Sequence, residues 1–207
     1  MGEADPRKYV LTGGPGCEKT VVLLALEQKG YPIVRSAAAD WITLQQARGI
    51  AEPWKDHKFQ REIYNLQIAR ETELRAAGYD EVVIDRGLID SWVYSKRDGT
   101  RDEAFPSISP SRIMMVAPSK YDLVFLLEHK STYLPTESRR ETPKEALEIE
   151  GDLEEAYYSA GFDVIRVFAD LPLDRRVEMI VNRIERFKRG ELKGRGSPTP
   201  LPVRLEK

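Results

Sequence analysis

The sequence predicts an α/β protein: a mostly parallel sheet of about five strands with helices on both faces. Three observations predict it. Short apolar runs alternate with longer segments of helical spacing, the pattern of a parallel sheet covered on both sides. The first apolar run enters a glycine-rich turn that opens directly into a helix. Two later runs end in carboxylates, Asp85 and Glu128, at the strand ends where ligands of such sheets bind.

The elements follow in order. Strand one is Lys8–Thr12, and the buried helix after it stops at Gly30. Strand two is short, Pro32–Arg35. Ser36 caps a helix that ends at Gly49. A longer helix starts after Asp56, with Phe59, Ile63, Leu66 and Leu74 near helical spacing, and stops at Gly78. Strand three is Glu81–Asp85. Leu88–Arg97 reads as helix, ended by Gly99. A polar loop, Thr100–Pro110, precedes a short helix around Arg112–Ala117 and strand four, Tyr121–Leu127. Thr142-Pro143-Lys144-Glu145 is a capping box with proline at the first helical position. That helix ends at Gly161. Strand five is Phe162–Phe168. Asp174 caps a last helix with Val177, Ile180, Val181, Ile184 and Phe187 on one face. Residues 1–189 thus read as a single domain. Residues 190–207 read as a flexible Gly/Pro-rich tail, open to a protein partner or anionic lipid.

Composition narrows the function classes. At 207 residues, 41% hydrophobic and 32% charged, the chain suits one soluble domain with a full core. A net charge of −2 argues against nonspecific nucleic-acid binding. No apolar run has the length of a membrane span, and the N-terminus lacks a secretory core. Pro6 stands where a myristoylation signal has Ser or Thr. A single cysteine fits a reducing, cytoplasmic setting, and with two histidines it makes no structural zinc site.

The turn after strand one reads Gly13-Gly14-Pro15-Gly16-Cys17-Glu18-Lys19-Thr20. It is the phosphate-binding pattern GxxxxGK[ST] with one letter changed. The glycines let successive N–H groups curl inward toward phosphate oxygens, and the helix adds its N-terminal partial charge. Lys19 reaches the β- and γ-phosphates of ATP or GTP in such a loop, and the Thr20 hydroxyl holds Mg²⁺. Glu18 stands at the last glycine position, where bulk and negative charge are both unwelcome. Cys17 sits at a helix N-terminus, where a thiolate is favoured.

Asp85 is placed to hold a metal-bound water or to take a proton from an acceptor hydroxyl. Arg86 can clamp the acceptor, and Asp90 follows one turn later. Glu128 is a second candidate carboxylate. His57 and His129 read as solvated or half-buried, Met114 and Met115 as core. Lys130–Thr142 is charged and holds Arg139 and Arg140, the makings of a lid over a transferring phosphoryl group. Ala169-Asp170-Leu171-Pro172, after strand five, would lie against the nucleotide base if the site is ordered as in small kinases.

Several stretches together resemble a family of small AAA-type P-loop proteins. They are Leu11–Gly16, Phe59-Gln60-Arg61, Asp85–Asp90, Phe125–Glu128, Arg139–Pro143 and Pro172–Arg176. The family includes the kinase domain of the bifunctional nicotinamide riboside kinase regulator of bacteria. It also includes the nucleotide-binding domain of a fly protein needed for photoreceptor channel trafficking. The resemblance spans about residues 8–188 and implies a P-loop NTPase fold, kinase-like with a lid. It implies ATP or GTP binding and, in some members, phosphoryl transfer to a small hydroxylated acceptor. Two departures stand out: Glu18, and Ser36-Ala37-Ala38-Ala39 where the family tends to carry Glu-Ala-Ala-Arg. Two functions stay open. One is a Mg²⁺-dependent phosphotransferase acting on a small hydroxylated metabolite or nucleoside. The other is a weak or catalytically silent nucleotide-binding module that acts through a partner.

Overall fold

The computed structural model describes residues 5–74, 76–97, 109, 112–113, 121–129 and 141–193. Arg139 and Arg140, Met114 and Met115, Gly99, most of the 100–110 loop and the tail beyond 193 lie outside the described residues. The elements are β1 (Arg7–Thr12), α1 (Lys19–Gln28), β2 (Ile33–Val34), α2 (Ala37–Ala47) and a 3₁₀ turn (Pro53–Lys55). There follow α3 (Phe59–Glu73), β3 (Glu81–Asp85), α4 (Leu88–Arg97), β4 (Leu123–Leu127), α5 (Pro143–Ser159), β5 (Val164–Val167) and α6 (Leu173–Lys188).

The strands form one parallel sheet in the order β2-β3-β1-β4-β5. β1 is central, so its neighbours β3 and β4 end on either side of the glycine-rich turn. The register sets Leu11 beside Asp85 on one side and beside Phe125 on the other. Asp85 therefore finishes its strand level with the entry to the turn.

The period of two along each strand sorts the core into two layers. Val10, Val82, Ile84, Val124 and Leu126 face α4 and α5, where they meet Leu88, Val93, Ile149, Leu153 and Tyr157. Tyr9, Leu11, Val83, Leu123 and Phe125 face α1 and α6, meeting Val22, Leu26, Val177, Ile180 and Ile184. Each such aliphatic side chain contributes about 1.5–3 kcal/mol on burial. A third, smaller cluster joins α2, the 3₁₀ turn and α3 through Ala37, Trp54, Phe59 and Ile63.

Local chemistry explains the helix ends. The Ser36 hydroxyl accepts from the Ala39 N–H, and Thr142 forms both halves of a capping box with Glu145. Gly161, at φ 87°, lets Phe162 N–H return to the Tyr157 carbonyl and stop α5.

Four expectations need correction. Pro172, not Asp174, occupies the N-cap of α6, and Asp174 lies in the first turn. α1 is not buried all round: Val21 and Leu24 are exposed. Strands two, four and five are shorter than their apolar runs, because Pro32, Tyr121 and Phe162 lie outside the ladder. The third helix ends at Glu73 rather than Gly78.

Gly87 is packed beneath two tyrosines, where an added Cβ would lie 2.5 Å from the Tyr157 hydroxyl and 2.8 Å from the Tyr121 ring. Gly87→Ala should therefore destabilise the protein by about 1–3 kcal/mol, read as a lower urea midpoint. An unchanged midpoint would show that the tyrosines yield without cost.

Candidate functional site

The turn from β1 to α1 wraps as a phosphate loop. Gly13 and Gly16 have φ of 143° and 80°, and Glu18 takes the left-handed conformation at φ 64°. That is the backbone the last glycine of the pattern would adopt, here imposed on a residue with a Cβ. The Glu18 side chain turns away from the loop to Arg176 of α6, at 2.5 Å. Arg176 is 2% exposed. The Glu18 charge thus meets a partner 158 residues away in the chain.

Lys19 is buried, and its Nζ donates to the carbonyls of Gly13 and Gly14, each at 2.8 Å. It also lies 3.1 Å from Cys17 Sγ. Cys17 is 1% exposed and packs under the loop with Val22 and Leu23, so it is core rather than a group facing phosphate. Thr20 begins α1 exposed to solvent. Pro15 borders the pocket described below.

Asp85 and Arg86 stand beside this loop. Arg86 N–H donates to the Leu11 carbonyl, and Arg86 is the second non-glycine residue with positive φ, 69°. Its guanidinium bonds Asp90 at 3.1 Å, reaches toward the Gly13 carbonyl at 3.5 Å and lies 5.0 Å over the Tyr94 ring. Asp85 is 3% exposed, and among the described residues its Oδ1 has no hydrogen-bond partner. Burial pushes its carboxyl above the ordinary value of 3.8, although Lys19 and Arg86 pull it down.

Asp90 binds the parts together. Its carboxylate accepts from Thr12 Oγ1 at 2.9 Å, Gly87 N–H at 3.1 Å and the Tyr157 hydroxyl at 2.6 Å, besides Arg86. A parallel chain runs from Leu88 N–H to the Tyr121 hydroxyl, which donates to Glu71, which also accepts from Gln67.

Next to the loop opens a pocket of about 430 Å³. Pro15, Arg86, Gly87, Asp90 and Tyr94 form the wall toward the loop. Ala37, Ile42, Trp54, Phe59 and Ile63 form the opposite wall, and Gln60, Gln67 and Glu141 add polar groups. Gln67 donates from its Nε2 to Glu71 at 2.7 Å. Burial pushes the Tyr94 hydroxyl up to about 12, so it stays neutral. Asp85 lies behind this wall rather than on it. Glu128 is not part of the site: Arg166 of β5 takes it at 3.0 Å, in a group with Glu150 and Glu154. His57 is exposed, and the His129 N–H bonds Glu150. Pro172 begins α6, one turn ahead of Arg176.

Pro15, Arg86, Asp90 and the Phe59-Gln60 pair were singled out from the sequence; Trp54, Gln67 and Tyr94 were not, yet α3 carried a signal. Gln60, Gln67 and Glu71 are buried polar groups on the same stripe of α3 as Phe59 and Ile63. Arg176 likewise interrupts the apolar face of α6 beside Val177.

A family described as AAA domain matches residues 8–173. The chain belongs to that family. Among solved structures it is similar to deoxyadenosine kinase from M. mycoides with dCMP and a flexible dCDP bound. The identity is 16% and the TM-score 0.63, over 86% of this chain and 98% of that one. It is also similar to NadR protein in complex with NR, at 15% identity and TM-score 0.62, over 96% of this chain and 53% of that one. NadR in complex with NAD and AMP-PNP gives 16% and 0.63. The AAA-domain chain spans about half the length of the NadR protein. At such identities the likeness is one of fold, the α/β sheet of P-loop kinases. No curated protein sequence matches the chain. Among the described residues no helix is long and apolar enough to cross a membrane, and no cluster of three or more acidic, His or Cys residues forms a metal site.

Two stability measurements test this geometry. Glu18→Ala keeps the left-handed strain and loses a charged hydrogen bond, so it should cost about 1.5–3 kcal/mol. Glu18→Gly relieves the strain, so it should be about 1–2 kcal/mol more stable than the alanine form; equal midpoints would remove the strain from the account. Asp85→Asn should raise stability at pH 7. Below 3.8 the carboxyl is neutral whether folded or unfolded. As pH rises through its raised folded value, the folded state must bury a charge and stability is lost. The gain from asparagine should shrink as pH is lowered from 7 toward that ordinary value. A gain that grows on acidification would reverse the assignment.

Proposed function

We propose that the chain is a phosphotransferase that carries the γ-phosphoryl group of ATP or GTP to a hydroxyl of a small metabolite or nucleoside. The observation that carries this is the 430 Å³ pocket opening directly beside a phosphate loop, with Asp85 buried behind the wall they share, its Oδ1 without a hydrogen-bond partner among the described residues. Trp54 and Phe59 offer flat aromatic surface and Ile63 apolar bulk, and the Gln60 and Gln67 amides suit a planar ring with N–H and C=O edges. The structural neighbours named above, a deoxyadenosine kinase and a NadR protein holding NR, agree with a nucleoside-like acceptor. The Ser36–Ala39 segment offers no carboxylate or arginine to the acceptor, which leaves that duty to Asp85 and Arg86.

In this reading the loop N–H groups and Lys19 hold the phosphates, and Arg86 orients the acceptor. The acceptor oxygen bonds to the γ-phosphorus as the bond to the β-phosphate oxygen breaks. Asp85 takes the hydroxyl proton, and its raised affinity for a proton suits a base. Arg139 and Arg140 are proposed to close over the transferring group. The exposed Thr20 hydroxyl and the free Asp85 Oδ1 are groups that fit Mg²⁺, which would neutralise phosphate charge when bound.

A second reading, a catalytically silent nucleotide-binding module, is favoured by one observation. Lys19 is spent on the Gly13 and Gly14 carbonyls and must leave them to reach a phosphate.

Lys19→Ala should abolish binding of Mg·ATP and Mg·GTP by calorimetry; unchanged affinity would remove the loop from the site. Asp85→Asn should keep binding and cut turnover by roughly 10²–10⁴ across a panel of nucleoside acceptors. Binding by the native chain with no transfer to any acceptor would select the silent module.

A further inference from the structure

Glu18 sits at the point of the loop where backbone comes nearest to phosphate, and it brings a negative charge with it. A carboxylate there opposes an anionic ligand unless something cancels it. Arg176 is the group in place to do so. Its guanidinium is 3% exposed and meets Glu18 Oε2 at 2.5 Å, while the Glu18 side chain is 35% exposed. The contact joins the first helix turn to the last helix of the sheet layer, and both residues are ordered by buried neighbours, Cys17 and Val177. Glu18 itself takes the left-handed conformation, at φ 64°. The Arg176 N–H is fixed in α6 by the Pro172 carbonyl at 3.0 Å.

We propose that Arg176 is a positioning residue for nucleotide, acting through Glu18: the ion pair keeps a glutamate-bearing phosphate loop electrically neutral and open to phosphate. The pair replaces the conformational freedom of the missing glycine with a charge contact to α6. This rests on the nucleotide-binding reading above.

The test compares Mg·ATP affinity by calorimetry at fixed salt for the native chain, Arg176→Met, Glu18→Gln and the double variant. Melting curves establish that each is folded. Arg176→Met should weaken binding at least tenfold, because it removes the guanidinium charge held against the Glu18 carboxylate. Glu18→Gln/Arg176→Met should return to within about threefold of the native chain, because an amide does not repel phosphate. The loss in Arg176→Met should shrink as salt rises. Equal losses in both arginine variants would overturn the proposal and make Arg176 a direct nucleotide contact or a purely structural residue. An Arg176→Met chain with native affinity would overturn it as well. Should Arg176→Met fail to fold, Arg176→Lys takes its place. Lysine keeps the charge, so it should bind within a few-fold of native, and a loss as large as tenfold that Glu18→Gln does not reverse would reject the pair. Absence of binding by the native chain itself would reject the nucleotide reading instead, before any variant is compared.

Discussion

The Asp90 carboxylate is the constraint on which the site depends. It collects the hydroxyl of Thr12 at the end of β1, the guanidinium of Arg86, the N–H of Gly87 and the hydroxyl of Tyr157 from α5. One buried charge thereby fixes the end of the central strand, the β3–α4 turn and the helix behind them. Four donors are what allow an ionised group to stay at 2% exposure. Tyr121 makes the same kind of link one layer deeper, tying α4 to α3 through Glu71. The loop and the pocket wall are therefore referred to a common rigid origin.

Two residues flank this origin in left-handed backbone, Glu18 and Arg86. Each is unfavourable locally, and each is held by a charge contact: Glu18 by Arg176, Arg86 by Asp90. Local strain held by surrounding contacts is characteristic of sites that must present groups in a set direction. Asp85, at the end of β3, is a different case: it is buried, and among the described residues its Oδ1 has no hydrogen-bond partner.

Most of the fold was legible because it rests on local signals. Continuous apolar runs marked the strands, glycines marked the helix stops, and the capping box at Thr142 marked the start of α5. Their parallel pairing followed from the alternation alone. Strand ends were overread where apolar residues such as Tyr121 and Phe162 are buried outside the ladder. The phosphate loop and the Asp85-Arg86 pair were legible because each is contiguous in sequence. The Glu18–Arg176 contact and the pocket were not. Both depend on α3 and α6 approaching residues far away in the chain, which composition and spacing do not encode. The burial of Cys17 was not legible either: a turn's inward and outward faces are set by backbone dihedrals, not by residue type.

The pocket's two walls have different mechanical standing. The wall toward the loop is cross-linked by polar bonds to the sheet through Asp90 and Arg86. The facing wall belongs to the small cluster of Ala37, Phe59 and Ile63, packed apart from both sheet layers. Substitutions of volume in that cluster alter the room available to a ligand while leaving the phosphate side untouched. In the proposed phosphotransferase, selectivity and chemistry would therefore sit on separable parts of one cavity. A chain built this way would drift from one ligand to another by repacking a few apolar side chains, without passing through a form whose loop has come apart.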